Sequence, residues 1–283
     1  MFRKVIVFIA VVFVNPVSLA GNFVGKVPAV NHLVPIEGTN NFRDLGGYKT
    51  TDGKSIKSGM IFRSDALGDV TKKGRKQLEA LDIKTIIDFR GPIEREKDPD
   101  VVLDSVRTYR TIMMKDGKHE QADYIRKLYS GEIDGPKARE LLFEAYERNV
   151  REGGDALGVM FEDLADERSV PLVFHCTAGK DRAGFAAAVF LSLMGVPRED
   201  VVNDYLLTEY YREEELESRL YWMDWLMPDS GIEALRARLA RPEYIIHVLE
   251  LIDKEYGGIE QYARTEMGLS DTTIARLRQR FLD

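Results

Sequence analysis

The sequence predicts an α/β domain in which a central, mostly parallel sheet is flanked by helices, with a helical insertion and a helical C-terminal tail. Three observations carry that expectation. Short apolar, β-branched runs at Met60 to Ser64, Lys84 to Arg90, Val106 to Met113 and Val170 to Phe174 alternate with helical patterns. From about Glu120 to Asp166, Tyr124, Leu128, Leu141, Leu142, Ala145 and Tyr146 recur at three- and four-residue spacings. After Arg198 the pattern stays helical to the C-terminus.

Taken in order, the chain starts with a basic Met1-Phe2-Arg3-Lys4, an apolar run from Val5 to Val14, and Ser18 and Ala20 at the small positions of a cleavage site. These are the parts of a secretory signal, so residues 1–20 are expected to leave after Ala20 and the chain to be exported, periplasmic or secreted. The apolar run is short for a membrane anchor, so no stable transmembrane segment is expected in the mature chain. Residues 21–37 read as an exposed lead-in and residues 38–283 as the working domain. Asn41 to Tyr48 reads as a loop and Thr51-Asp52-Gly53-Lys54 as a hairpin signal. Thr71 can cap a helix reaching Leu81. A charged loop with Pro92 and Pro99 follows the Lys84–Arg90 strand. Gly131 and Gly135-Pro136 split the 120–166 region into two helices. Later helices are expected over Arg198 to Arg212, Ile232 to Leu239, Pro242 to Tyr256, Ile259 to Met267 and Ser270 to Phe281. Arg212-Glu213-Glu214-Glu215 reads as a solvated helix face. Tyr221 to Met227 puts three aromatics on a helix, either as ordinary packing or as an apolar lid over the site.

With 283 residues, 44% of them hydrophobic, the chain can bury a sizeable core. Its net charge of -7 becomes -9 once Arg3 and Lys4 leave, a poor balance for binding nucleic acid. Any anion must be held locally. The four histidines lie far apart with no ligand spacing, so no metal and no cofactor are expected. Cys176 is the only cysteine and cannot form an internal disulfide.

That cysteine lies in His175-Cys176-Thr177-Ala178-Gly179-Lys180-Asp181-Arg182-Ala183-Gly184, between the Val170–Phe174 strand and the apolar helix Phe185 to Met194. A strand, a tight loop and a helix N-terminus make an anion site, because loop N–H groups converge and the helix dipole favours negative charge. A cysteine followed at five intervening residues by an arginine is weak as a spacing alone. The preceding histidine, the glycines and the strand-loop-helix setting make it specific. Facing one anion, a thiolate and a planar charged fork are what attack on a phosphate ester requires.

Together with Asn41-Phe42-Arg43-Asp44-Leu45-Gly46-Gly47, this loop resembles the atypical bacterial protein tyrosine phosphatases. The likeness extends through Phe62-Arg63-Ser64, Ile87-Asp88-Phe89-Arg90, Gly195-Val196-Pro197, Asp204-Tyr205-Leu206-Leu207 and Tyr256-Gly257-Gly258, from about residue 36 to the C-terminus. It implies the cysteine-dependent phosphatase fold and a phosphoric monoester hydrolase working through a cysteinyl-phosphate. The implied substrates are phosphotyrosine, phosphoserine or phosphothreonine, and phosphoinositides. Ala183 departs from the family, since many relatives have Thr there, whose hydroxyl helps the thiolate leave.

Roles follow from residue chemistry. Cys176 is the nucleophile, favoured as thiolate by the helix N-terminus, the loop amides and Arg182. Arg182 binds two phosphate oxygens, and Thr177, Ala178, Gly179, Lys180 and Ala183 complete the phosphate cradle. Asp181 is the first choice as general acid, which the resemblance also implies; the plainer reading is a brace for the loop. Asp88 is the substitute, at a strand end, with a salt bridge to a nearby arginine as its plainer reading. His175 orients the loop or acts as a base. Arg43 and Asp44 form either the pocket wall or, in preference, a brace under the loop. Lys180 either supplies a second charge for a polyphosphorylated ring or is a solvated rim lysine. Arg63 and Arg90 are expected in structural ion pairs. The rival functions are an inositol polyphosphate (phytase-like) phosphatase and a non-catalytic phosphate-binding module; oligomeric state is left open.

Overall fold

The computed structural model describes residues 32–114 and 126–283, so the expected export signal and most of the lead-in lie outside the described residues. Five strands form one sheet: β1 (Arg43–Asp44), β2 (Ile61–Ser64), β3 (Thr85–Asp88), β4 (Thr108–Thr111) and β5 (Leu172–His175). Their order is β1-β2-β5-β3-β4, with β1 antiparallel to β2 and every other pairing parallel. The expected mixed, mostly parallel sheet is present, and the cysteine strand lies at its centre.

Side chains alternate across the sheet, as the strand period of two demands. Ile61, Ile87, Leu172 and Phe174 face one buried cluster, while Phe62, Ile86 and Val173 face the other. Helix α1 (Lys72–Ala80), capped by the Thr71 hydroxyl accepting from Gly74 N–H at 3.1 Å, contributes Leu78 to the second cluster. The first cluster is closed by α3 (Gly135–Glu152), α4 (Gly154–Ala165), α5 (Asp181–Leu193), α6 (Arg198–Tyr211), α9 (Pro242–Tyr256), α10 (Ile259–Thr265) and α11 (Asp271–Phe281). Helix α5 is apolar on all sides and buried along almost its whole length, as a central helix must be.

Four expectations are corrected. Arg43–Asp44, read as loop, is a short edge strand. The charged loop after β3 holds a helix, α2 (Pro92–Lys97), favoured by Pro92 at its first turn and by Glu94 Oε2 accepting from Gly91 N–H at 2.8 Å. The insertion has a further break at Gly153, between α3 and α4, besides a helical stretch at residues 126–130. Arg212 is buried rather than solvated, paired with Glu215 at 2.8 Å. It precedes α7 (Glu213–Leu226), which is followed by α8 (Asp229–Ala237). On α7, Tyr221 and Trp222 are exposed while Met223 is buried, so those two aromatics are not core packing. No helix among the described residues is long and apolar enough to cross a membrane.

Candidate active site

Strand β5 ends at His175 with Ser64 and Asp88 as its register partners on either side, so the chain emerges at the carboxyl edge of the sheet. Cys176 follows immediately and is buried. From there the chain wraps around the end of α5, whose first residue is Asp181. The loop's carbonyl oxygens are tied to the scaffold one after another. Ala66 N–H donates to Thr177 O at 3.1 Å, Asn41 Nδ2 to Ala178 O at 3.1 Å, and Arg63 Nη2 to Gly179 O at 2.6 Å. In a planar trans peptide the N–H points opposite to the C=O, so fixing these carbonyls turns the N–H groups of residues 178–180 to the other side. Gly179 has φ +67°, and a Cβ there would lie 2.7 Å from Ser64 backbone and from Asn41 Nδ2; only glycine fits. The loop is therefore pre-shaped as an anion nest.

The brace under it is ionic. Asp204 of α6 receives Arg43 Nε at 3.1 Å and Arg63 Nη1 at 2.5 Å, all three fully buried, and Tyr48 hydroxyl at 3.2 Å. Burial opposes ionisation of Asp204, but the two arginines outweigh it and hold the carboxyl at about 2. Burial and the neighbouring Arg43 pull Arg63 down to about 10. Arg43 also donates to Asn41 Oδ1, which aims that side chain at the loop. Gly184, on α5, lets the helices cross closely: a Cβ would meet Tyr205 at 2.9 Å. Arg43 is thus part of the brace, whereas Asp44 accepts from Gly46 and Gly59 N–H at 2.8 and 2.6 Å and does not reach the loop.

Arg182 is held by Glu94. Its two terminal nitrogens donate to Oε2 and Oε1 at 2.8 and 2.7 Å, Thr177 Oγ1 donates to the same carboxylate, and Arg182 Nη1 reaches Phe89 O at 3.2 Å. Burial works against ionising Glu94, yet the Arg182 pair, Thr177 and Gly91 N–H hold it at about 2. The guanidinium is fixed beside the loop by a carboxylate that stays charged at neutral pH.

Asp181 is half-buried; its Oδ1 accepts from Tyr146 hydroxyl at 2.6 Å and lies 3.2 Å from Lys180 Nζ. Burial pushes its carboxyl up, but the Lys180 charge, the Tyr146 hydroxyl and Arg238 win, leaving it below the usual aspartate value. Lys180 is buried instead of solvated, its ammonium donating to Arg238 O at the end of α8. Ala183 lies fully buried on α5.

His175 and Asp88 belong to a buried network beneath the site. Asp88 accepts from Arg90 N at 2.8 Å, Nε at 3.0 Å and Nη2 at 3.0 Å, one or more at each oxygen, while the Tyr109 hydroxyl, 3.1 Å away, lies nearer Asp100 Oδ2 at 2.5 Å. These donors occupy both oxygens, so the salt-bridge reading of Asp88 describes its geometry. Asp100 lies with Arg90 Nη2 at 2.7 Å and with His175 Nε2 at 3.0 Å, the latter off the line a hydrogen bond needs. Asp88, Asp100 and His175 offer three ligand-type atoms close together, but Arg90 lies among them and neutralises the two carboxylates. His175 Nδ1 is 3.3 Å from Cys176 O.

The structure thus brings Cys176, Thr177, Lys180, Asp181 and Arg182 together around one end of α5. Sequence reasoning missed Glu94, Tyr146, Asp204 and Asp100 and left Arg63 aside. Asp204 carried a signal, as a carboxylate among the buried Tyr205, Leu206 and Leu207, whereas Glu94 looked like any residue of a charged loop.

Comparison with known proteins gives the family. The sequence profile of the tyrosine phosphatase family matches residues 34–283. A tyrosine-protein phosphatase of Nostoc commune is 28% identical over 232 residues, covering 80% of this chain and 75% of that one. The triple specificity protein phosphatase PtpB of Mycobacterium tuberculosis is 27% identical over 278 residues, covering 86% of this chain and 96% of that one. The solved structure of P. aeruginosa TpbA is a remote match, 14% identical with a TM-score of 0.28, covering 65% of this chain and 89% of that one. With the family profile running through nearly the whole described chain, this protein belongs to the tyrosine phosphatase family and is a phosphatase.

Proposed function

We propose that the chain hydrolyses phosphate monoesters through a cysteinyl-phosphate on Cys176, with phosphotyrosine as the leading substrate class and phosphoserine, phosphothreonine and phosphoinositides as further ones. The observation that carries this is the loop whose carbonyls are all tied back, with Cys176 at its base and the clamped Arg182 at its end. The Cys176 thiolate attacks phosphorus; an S–P bond forms as the P–O bond to the leaving group breaks. Arg182 and the loop N–H groups take the charge on the three equatorial oxygens. Asp181 gives its proton to the leaving oxygen, then as carboxylate takes one from the water that attacks phosphorus and expels the thiolate. Ala183 offers no hydroxyl to the departing sulfur, so this second step lacks the help that a threonine at that position would give.

The preference for phosphotyrosine follows the family, and the phosphoinositide reading rests on Lys180, whose ammonium lies beside the loop but is bound by Arg238 O. Residues 1–20 support export to the periplasm or beyond.

The test is phosphate release from a phosphotyrosine peptide, a phosphoserine peptide, a phosphoinositide and an inositol polyphosphate, each with chelator and with Cys176→Ser in parallel. Turnover that resists chelator, disappears in Cys176→Ser and leaves a trappable phosphocysteine in the parent supports the reading. An inositol polyphosphate ranking first would favour the phytase-like alternative. No turnover on any substrate, with Cys176 shown to be reduced, would leave a phosphate-binding module.

A further inference from the structure

Behind Asp181 runs a line of two buried hydroxyls. Tyr146, on α3, donates to Asp181 Oδ1 at 2.6 Å, and its oxygen lies 2.7 Å from the hydroxyl of Tyr205 on α6. Both tyrosines are buried. Tyr146 also stacks on Tyr244 of α9, with ring centroids 5.8 Å apart and planes 15° from parallel, and Tyr244 is anchored by its hydroxyl to Ala237 O. Three helices therefore fix where the Tyr146 hydroxyl points.

We propose that Tyr146 is a positioning residue for the general acid: by donating to Oδ1 of Asp181 it confines the acid's proton to Oδ2 and holds that oxygen toward the leaving group. This rests on the reading of Asp181 as general acid. A phenol has one proton to give. With Asp181 as acceptor on one side, Tyr146 takes its own incoming bond from Tyr205 on the other, and both hydroxyls are satisfied. When Asp181 is neutral, Oδ1 is the carbonyl oxygen and still accepts from Tyr146, with the Lys180 ammonium 3.2 Å from the same atom. A proton on Oδ1 would instead face two donors, so it belongs on Oδ2. In the first step that proton passes to the leaving oxygen, and Tyr146 keeps its own while stabilising the new carboxylate. In the second step Oδ2 receives a proton from water.

The charged and titratable groups facing Asp181 are Lys180 beside it, Tyr146 of α3, Tyr205 and Glu209 of α6, Arg238 after α8 and Tyr244 of α9. Of these Tyr146 is the hydroxyl that donates to it. Removing that donor favours the protonated acid, so the alkaline limb of kcat/KM moves to higher pH.

The experiment compares the full chain with Tyr146→Phe and Asp181→Asn on two esters. Phenyl phosphate has a poor leaving group that needs a proton; 2,4-dinitrophenyl phosphate has one that does not. Read as kcat/KM, which covers only the steps up to transfer of phosphorus to Cys176 and not the later hydrolysis, Asp181→Asn should lose roughly 10²–10⁴-fold on phenyl phosphate and little on the dinitrophenyl ester. Compared in kcat/KM on the plateau below the alkaline limb, Tyr146→Phe should lose about ten- to a hundred-fold on phenyl phosphate, the scale of one hydrogen bond to a charged group, and keep its activity on the dinitrophenyl ester; across pH it should shift the alkaline limb upward. Retained dinitrophenyl turnover also reports that the variant folds. Should it not fold, 3,5-difluorotyrosine at position 146, a stronger donor of nearly the same shape, should move the limb downward. Equal losses on both esters in Tyr146→Phe, or an unmoved limb in either variant, while Asp181→Asn keeps its selective loss, would overturn the Tyr146 role alone. An unselective Asp181→Asn would sink the general-acid reading and this proposal with it.

Discussion

At the scale of single residues, the site is a set of charges each fixed by a partner. Glu94 takes up the rotational freedom of Arg182 with two hydrogen bonds, which in the proposed mechanism presents the guanidinium to the phosphate already oriented. Glu94→Gln keeps the shape but weakens a charge-assisted pair. We expect kcat/KM to fall about ten- to a hundred-fold, corresponding to ~1.5–3 kcal/mol for a hydrogen bond to a charged group, with most of the loss in kcat. Steady-state kinetics on the phosphotyrosine peptide checks this, and a change confined to KM would count against the clamp. Cys176→Ser should abolish turnover while binding the same peptide with near-parent affinity, measured by calorimetry.

At the scale of elements, the loop depends on pieces of chain far from it in sequence. Asp204 on α6 joins Arg43 on β1 to Arg63 on β2, and Arg63 holds Gly179 O. Asp204→Asn would leave two buried arginines without their anion, an expected cost of ~3–5 kcal/mol, read by urea denaturation at pH 7. Asp204, Asp100 and Glu94 are all held at about 2, below ordinary values of 3.8 for aspartate and 4.5 for glutamate. Their folded values are depressed, so the stability they contribute is complete above the unfolded values and is lost as pH falls toward 2. Denaturation midpoints should drop steeply between roughly pH 4.5 and 2, and Asp204→Asn should make that drop shallower; an unchanged slope would contradict the ionic brace. On α7 the contrast is between neighbours. Tyr221→Ser or Trp222→Ser should change stability by no more than about 0.5 kcal/mol, whereas Met223→Ala should cost ~2–5 kcal/mol.

For the whole molecule, the loop that begins at Cys176 joins the sheet's carboxyl edge to the N-terminus of α5, and the ionic brace holds that loop through the carbonyls of Ala178 and Gly179. The layers of the fold follow from patterns readable in one dimension. Short apolar, β-branched runs became β2, β3, β4 and β5, and the all-apolar run after Gly184 became the buried α5. Less legible were elements whose reason is tertiary. Strand β1 exists because Arg43 and Asp44 pair with β2, and α2 is a short helix in a charged segment whose function is to carry Glu94 to Arg182. Arg212 looked solvated because three glutamates follow it, yet the fold buries it next to Glu215.

The sequence by itself determined the α/β class, the strand-loop-helix unit and the cysteine and arginine that this unit holds together. Those features are local: hydrophobic period, glycine placement and residue chemistry within ten positions of Cys176. Only the tertiary structure decided which partners hold them. Glu94 lies 88 residues from Arg182, and Tyr146 lies 35 residues from Asp181. No periodicity encodes such separations. Burial decides them, because a charge or hydroxyl taken out of water must meet a partner, and the packed fold determines which one is within reach.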